Sequence, residues 1–286
     1  MSRIVYLDGE FMPFDEARIS PDDRGFLFSD GAYEVVRCYD GAPFALEEHR
    51  ARLTRSLTEL RIDHSSASRL GDVCGGLLER NAPAGGALLY AQVTRGEAER
   101  AHPFPPASTG PTFYASVRSF EGYPREREEG VAVITAPDIR WGRCDIKSIS
   151  LLPNVLAAQM ARDSGASEAV LVRRGVITEG ASSSFCAVLS GSVRTHPNGP
   201  GILPGITAAA IARLCRDLGI PFVEEAVSED DLETAPEAFL LSTTREVMPV
   251  VSVDGMKIGG GKPGPVTRRL QGAFDALVRE SSRGRS

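Results

Sequence analysis

Lysine is scarce in this 286-residue sequence, occurring only as Lys147, Lys257 and Lys262. The last two lie in a polar, glycine-rich stretch. Lys147 sits in Arg140-Trp141-Gly142-Arg143-Cys144-Asp145-Ile146-Lys147-Ser148. Neighbouring cations disfavour an ammonium ion and so release an amine for attack on a carbonyl carbon. Lys147 is therefore the candidate nucleophile, the plain alternative being a solvated surface lysine. Glu179 precedes a run of small residues, Gly180-Ala181-Ser182-Ser183-Ser184. A carboxylate there can keep a ring nitrogen protonated, and the serines can offer hydroxyl and amide donors; the same string also serves as an ordinary loop. Gly201-Ile202-Leu203-Pro204-Gly205-Ile206-Thr207 leads straight into an alanine-rich helix. Such an entry can cradle an anion, with simple N-capping by Thr207 as the other reading. Ser242-Thr243-Thr244, after an apolar strand, is either a second donor set or a strand-to-turn transition.

The first half adds four candidates. Arg52, beside Leu53 on a helix, can reach a phosphate or stay solvated. Tyr33 is an inward strand aromatic, for core or for site. Arg100 and His102 precede a proline-rich loop, where they can clamp a carboxylate or simply be exposed. Other chemistries are missing: there is no GxxxxGK[ST] and no GxSxG. The four histidines (His49, His64, His102, His196) show no metal-ligand spacing with each other or with cysteine.

These residues need elements to position them. Ile4–Leu7 and Phe11 flank the Asp8-Gly9 turn as a hairpin, and Ala32–Tyr39 reads as a strand. Leu53, Leu57 and Leu60 mark a helix over Glu47–Leu60, and Ser68–Arg80 predicts another. Strands follow at Ala87–Thr94 and Phe113–Val117. Beyond a polar stretch come a strand at Val131–Thr135 and a helix at Asn154–Ser164 ended by Gly165. Hairpins are expected over Ala169–Thr178 and Phe185–Thr195, then a helix at Thr207–Leu218, a buried-type strand at Phe239–Ser242 and a terminal helix at Pro263–Glu280. Strands and helices mix without regular βαβ alternation, so the class is α+β. The breakers and four glutamates of 119–130 predict a linker between an N-terminal domain, 1–118, and a C-terminal one, 131–286.

Composition excludes whole function classes. The net charge of −6 argues against nucleic-acid or anionic-membrane partners. No apolar run is long enough to cross a bilayer. The N-terminus lacks a signal-peptide layout, and five scattered cysteines without CxxC spacing suit neither zinc nor a disulfide framework. A reducing cytoplasm is the expected location.

Taken in order, the motifs resemble the fold type IV pyridoxal-phosphate aminotransferases, and within them the branch acting on D-amino acids. The match spans Asp23-Arg24-Gly25, Phe28-Ser29-Asp30-Gly31-Ala32-Tyr33-Glu34-Val35-Val36, Val93-Thr94-Arg95-Gly96, Arg100-Ala101-His102, Arg143 to Ser148, Thr178-Glu179-Gly180, Leu203 to Thr207 and Ser242-Thr243-Thr244. The resemblance implies a small N-terminal α/β domain and a larger C-terminal pseudo-barrel α/β domain. It implies pyridoxal 5'-phosphate as cofactor, joined through its aldehyde to Lys147, with Glu179 on the ring nitrogen. Arg52, Ile206, Thr207, Thr243 and Thr244 would hold the phosphate, and Leu203 would pack on the ring. Ser182 and Ser183 would contact the cofactor or nearby water. Tyr33, Arg100 and His102 would bind the substrate carboxylate, the last two donated by the neighbouring subunit of a homodimer. The implied reaction moves an amino group between D-amino acids (D-alanine or D-glutamate type) and 2-oxo acids. Alternatives on the same fold are a branched-chain L-amino acid transaminase, an aminodeoxychorismate lyase, and a non-catalytic cofactor-binding protein. In one departure, the family's serine run commonly ends in asparagine, whereas here it opens with Ala181 and closes with Ser184.

Overall fold

The computed structural model describes residues 2–283, which form two compact units. The first contains the chain up to Glu121, the short segment Ile146–Ser150 and a terminal piece from Ser281. The second contains Gly122–Asp145 and Leu151–Glu280.

In the first unit the chain runs β1 (Ile4–Leu7), β2 (Glu10–Pro13), α1 (Arg24–Phe28), β3 (Gly31–Tyr39), β4 (Ala42–Pro43), α2 (Leu46–Glu59), α3 (Ser65–Ser68), α4 (Leu70–Asn81), β5 (Ala87–Thr94) and β6 (Phe113–Ser119). The six strands form one antiparallel sheet, ordered β2-β1-β6-β5-β3-β4. The leucine spacing of α2 and α4 gives each an apolar stripe. Leu53, Leu57, Leu70 and Leu77 are fully buried in one cluster with the sheet residues Val36, Leu89, Val93 and Phe113. At Gly31 a Cβ would lie 2.6 Å from the Val93 carbonyl oxygen, so only glycine lets β3 start this close to β5.

The second unit runs α5 (Pro124–Glu129), β7 (Val131–Pro137), α6 (Leu152–Asp163), β8 (Glu168–Arg173), β9 (Val176–Gly180), β10 (Ser184–Leu189), β11 (Ser192–Thr195), α7 (Ile206–Asp217), β12 (Phe222–Glu224), α8 (Glu229–Thr234), β13 (Glu237–Ser242), β14 (Glu246–Val253), β15 (Met256–Lys257) and α9 (Pro265–Arg283), whose residues from Ser281 are grouped with the first unit. Its mixed sheet is ordered β12-β11-β10-β13-β14-β7-β8-β9, with β15 on β14. The terminal strand β9 passes through a three-residue turn into β10, far across the strand order, so the sheet curls into a half-barrel. The α+β class and the barrel-like second unit agree with the sequence.

Three findings refine that reading. Part of the 119–130 stretch is the helix α5, which groups with the second unit, and the Lys147 segment groups with the first. The strand β14 escapes sequence analysis because Pro249 interrupts it, yet it lies inside the sheet between β13 and β7. Its pairing with β7 begins only at Val250, so the N–H that Pro249 lacks falls outside that ladder. The helix α1 is only five residues long, too short for a periodic signal.

Candidate active site

In the first unit, the Lys147 segment lies as an added rung along β3. The Tyr33 N–H donates to the Lys147 carbonyl (3.0 Å), the Ile149 N–H donates to Gly31 (3.0 Å), and Ala32 bridges Ser148. The Lys147 N–H also donates to Ser56 Oγ on α2 (3.1 Å). The half-buried Lys147 side chain places Nζ 4.4 Å from the centre of the Tyr33 ring, a cation–π distance. Two sequence candidates thus meet. The arginines near Lys147 in sequence are each engaged by carboxylates: Arg143 by Asp145 (2.9 and 3.0 Å), Arg140 by Asp138 and Glu179.

Arg52 is held from behind. Its Nε and Nη2 donate to the two oxygens of Glu34 on β3 (2.7 and 2.9 Å), and His49 Nδ1 meets the same carboxylate at 2.7 Å. His49 and Arg52 are three apart on α2 and share a face. Glu34 is fully buried; burial pushes its carboxyl up, but Arg52 and then His49 outweigh that and hold it at about 2. Burial lowers His49 below its usual range, against the pull of Glu34, so the ring is a neutral partner in the fold. Neither Glu34 nor His49 was singled out from sequence, because a glutamate in a strand reads as solvent-facing until its partners are known.

Arg100 and His102 are exposed on an irregular segment and share one neighbour, Phe28 of α1. The Arg100 guanidinium lies 5.2 Å from that ring's centre, and the His102 ring 5.5 Å away.

In the second unit, Glu179 lies on β9 and is 5% exposed, an unusual depth for a carboxylate. Its oxygens are bound by the guanidinium of Arg140 and approached by the Leu203 N–H at 3.3 and 3.4 Å. Arg140 is itself forked onto Asp138 by two bonds of 2.9 Å and reaches the Gly201 carbonyl (3.3 Å). Burial raises the Asp138 carboxyl, and Arg140 with Thr178 more than reverses that. Sequence analysis counted Arg140 only as a cation near Lys147; the Asp138-x-Arg140 spacing was the available signal.

The helix α7 starts at Ile206, one residue earlier than expected. Its N-cap is Gly205, and no side chain caps it, which removes capping by Thr207 as the explanation for this segment. A Cβ on Gly205 would lie 2.7 Å from Ser184 Oγ, so Gly205 packs closely against that side chain. The first N–H groups of a 12-residue helix therefore have no side-chain cap. A cavity of about 340 Å³ reaches Glu179, Leu203, Gly205 and Ser184.

The serine and threonine turns are joined by one ion pair. Glu168 Oε1 accepts from the Ser182 N–H (2.7 Å), Ser182 Oγ (3.2 Å) and Ser183 Oγ (2.9 Å). Its Oε2 pairs at 2.9 Å with Arg245, which directly follows Thr243 and Thr244. Within the second turn Ser242 Oγ lies 3.5 Å from Thr244 Oγ1 and accepts the Arg245 N–H at 3.1 Å. Asn154, to which the sequence lent no role, donates Nδ2 to the Ala181 carbonyl (2.8 Å) and steadies the serine turn from α6. The described residues contain no group of His, Cys, Asp and Glu that could hold a metal ion, and no helix long and apolar enough to cross a membrane.

Comparison with known proteins follows the same lines. Residues 31–253 match the model of the family described as amino-transferase class IV. A D-alanine aminotransferase of Staphylococcus haemolyticus is 42% identical over 279 residues, covering 97% of this chain and 99% of that protein. One of Bacillus licheniformis is 42% identical over 275 residues, 96% of each chain. Among solved structures, a branched-chain amino acid aminotransferase of Escherichia coli superposes with a TM-score of 0.89 at 28% identity, covering 97% of this chain and 95% of that one.

Proposed function

The chain belongs to the amino-transferase class IV family, and on that basis we propose that it transfers the amino group between D-amino acids, of the D-alanine or D-glutamate type, and 2-oxo acids, using pyridoxal 5'-phosphate. The observation that carries this reading is the kinship, along nearly the whole chain, with D-alanine aminotransferases.

The residues present fit that cofactor. The uncapped start of α7 suits a phosphate, and the buried, doubly anchored Glu179 suits a protonated ring nitrogen. When bound, pyridoxal phosphate supplies an aldehyde that takes up the amino group and a ring that accommodates the electron pair left by the departing Cα proton. Lys147 would present Nζ as nucleophile and as the base that takes the Cα proton, with the Tyr33 ring packed beside it. Arg52, Ile206, Thr207, Thr243 and Thr244 would hold the phosphate, with Leu203 against the ring. Ser182 and Ser183 would act through the Glu168 network. Tyr33, Arg100 and His102 would orient the substrate carboxylate, Arg100 and His102 serving the second subunit of a homodimer. Five buried cysteines kept as thiols suit a reducing cytoplasm.

A second reading, a branched-chain L-amino acid transaminase, draws on the structural match to the Escherichia coli enzyme. One experiment separates the two. The protein loaded with pyridoxal phosphate is mixed with D-alanine, L-alanine or L-leucine while the visible band of the lysine-bound cofactor is followed. D-alanine alone is expected to bleach the band; bleaching by L-leucine and not by D-alanine would overturn the D-specific assignment.

A further inference from the structure

Arg100 and His102 occupy an exposed segment without regular structure, yet recognition of a carboxylate needs donors at fixed places. We propose that a buried Arg24–Asp30–Arg95 triad, with Phe28 as platform, positions this pair and thereby sets the affinity for carboxylate-bearing substrates. This rests on the reading of Arg100 and His102 given above.

The geometry is confined to the first unit. Asp30 Oδ2 accepts from Arg24 Nε (2.9 Å) and Arg95 Nε (2.7 Å), and its Oδ1 accepts from Arg95 Nη2 (2.9 Å). The side chains of Arg24, Arg95 and Asp30 are 4%, 9% and 12% exposed, so one carboxylate steadies two guanidiniums largely out of water. Both arginines then spend their remaining donors on backbone. Arg24 Nη1 donates to the Ala101 carbonyl (2.6 Å) and Nη2 to the His102 carbonyl (3.3 Å), the peptide units between and beside the two recognition residues. Arg95 Nη1 and Nη2 donate to the carbonyls of Arg61 and Leu60 (2.9 and 2.8 Å), just past the end of α2, the helix that carries Arg52. One carboxylate thus ties the carboxylate-binding segment to the helix of the phosphate-binding arginine.

Phe28 completes the device. Its ring centre lies 4.8 Å from the Arg24 guanidinium carbon, 5.2 Å from that of Arg100 and 5.5 Å from the His102 ring. The ring therefore sits among the tether and both side chains it positions. Cation–π attraction gives Arg100 a resting place without occupying its N–H donors, which stay available for a carboxylate. Arg24 is a positioning residue: an arginine fork can hold Asp30 and two carbonyls together, whereas a lysine, with one nitrogen, cannot.

Arg24→Lys keeps the charge on Asp30 and gives up the carbonyl tether; Phe28→Leu removes the platform from the other side. Both are loaded with pyridoxal phosphate and compared with wild type. Amide hydrogen exchange is measured over residues 97–104, together with KM and kcat for D-alanine and competition by propionate. The expected result is exchange in that segment about tenfold faster, with KM and the propionate inhibition constant raised about tenfold. kcat should stay within about threefold, and exchange in the Lys147 segment should be unchanged. Wild-type exchange and wild-type KM in both variants would overturn the proposal. So would a joint fall of kcat, cofactor retention and melting temperature, which would make the triad merely structural. If wild-type protein does not react with D-alanine, the D-amino acid reading fails; the exchange data still report whether Arg24 fixes the segment.

Discussion

The two units solve opposite electrostatic problems with the same device. In the first, two of the proposed ligand-binding groups are backed by a buried anion: Arg52 by Glu34, and the segment of Arg100 and His102 by Asp30 through Arg24. In the second, the working group is an anion, Glu179, and a buried cation sets it: Arg140, itself steadied by Asp138. On the proposed roles, the charges that bind ligand are thus backed by other, buried charges. Removing a backing group should therefore cost fixed geometry as well as stability.

The largest effect is expected where the backing carboxylate is most buried. Glu34→Gln leaves Arg52 facing a neutral amide and should destabilise the protein by about 3 kcal/mol, measured by urea unfolding. It should also weaken retention of pyridoxal phosphate. A loss below about 0.5 kcal/mol would show that Glu34 is not the anchor of Arg52.

Arg140→Met tests the mirror-image arrangement and should cost less, about 2 kcal/mol, because the Leu203 N–H still holds Glu179 and Arg173 still pairs with Asp138 (3.1 Å). Its diagnostic readout is the absorbance spectrum of the bound cofactor, which should shift as Glu179 loses its fixed direction. An unchanged spectrum would break the symmetry between the units.

The smallest effect is one of pH. The folded state lowers both His49 and Glu34, so each binds protons less readily than in the unfolded chain, and each contributes stability that is lost as pH falls. His49 begins to withdraw its contribution below its ordinary value of 6.5; Glu34 follows between 4.5 and about 2. Melting temperature should fall in two stages on acidification, and His49→Gln should flatten the first while leaving the second. A wild-type melting temperature constant from pH 7 to 5 would contradict the assignment of His49 as a neutral ring.

The groups assigned to a ligand are more legible in the sequence than those behind them, for a physical reason. Lys147, Glu179 and the Gly205-Ile206-Thr207 entry announce themselves by local chemistry: a scarce amine, a carboxylate before small residues, a glycine before a helix. Helices with leucine stripes and strands of alternating residues were equally legible, as α2, α4 and β5 show. Glu34, Asp30 and Glu168 have no such local mark. Their meaning lies in partners brought up by tertiary packing, such as Arg95, 65 residues beyond Asp30. Pro249 hid β14 for a related reason, since a proline is excluded from a strand interior only where its N–H is needed. Asn154 and the serine turn form another such pair, 27 residues apart.

The account turns on Lys147 as the cofactor-bearing lysine, and one chemical measurement addresses it. The protein loaded with pyridoxal phosphate is reduced with borohydride, digested and mapped by mass spectrometry. The account predicts the phosphopyridoxyl group on Lys147 alone. Label on Lys257 or Lys262 with Lys147 unmodified would contradict it.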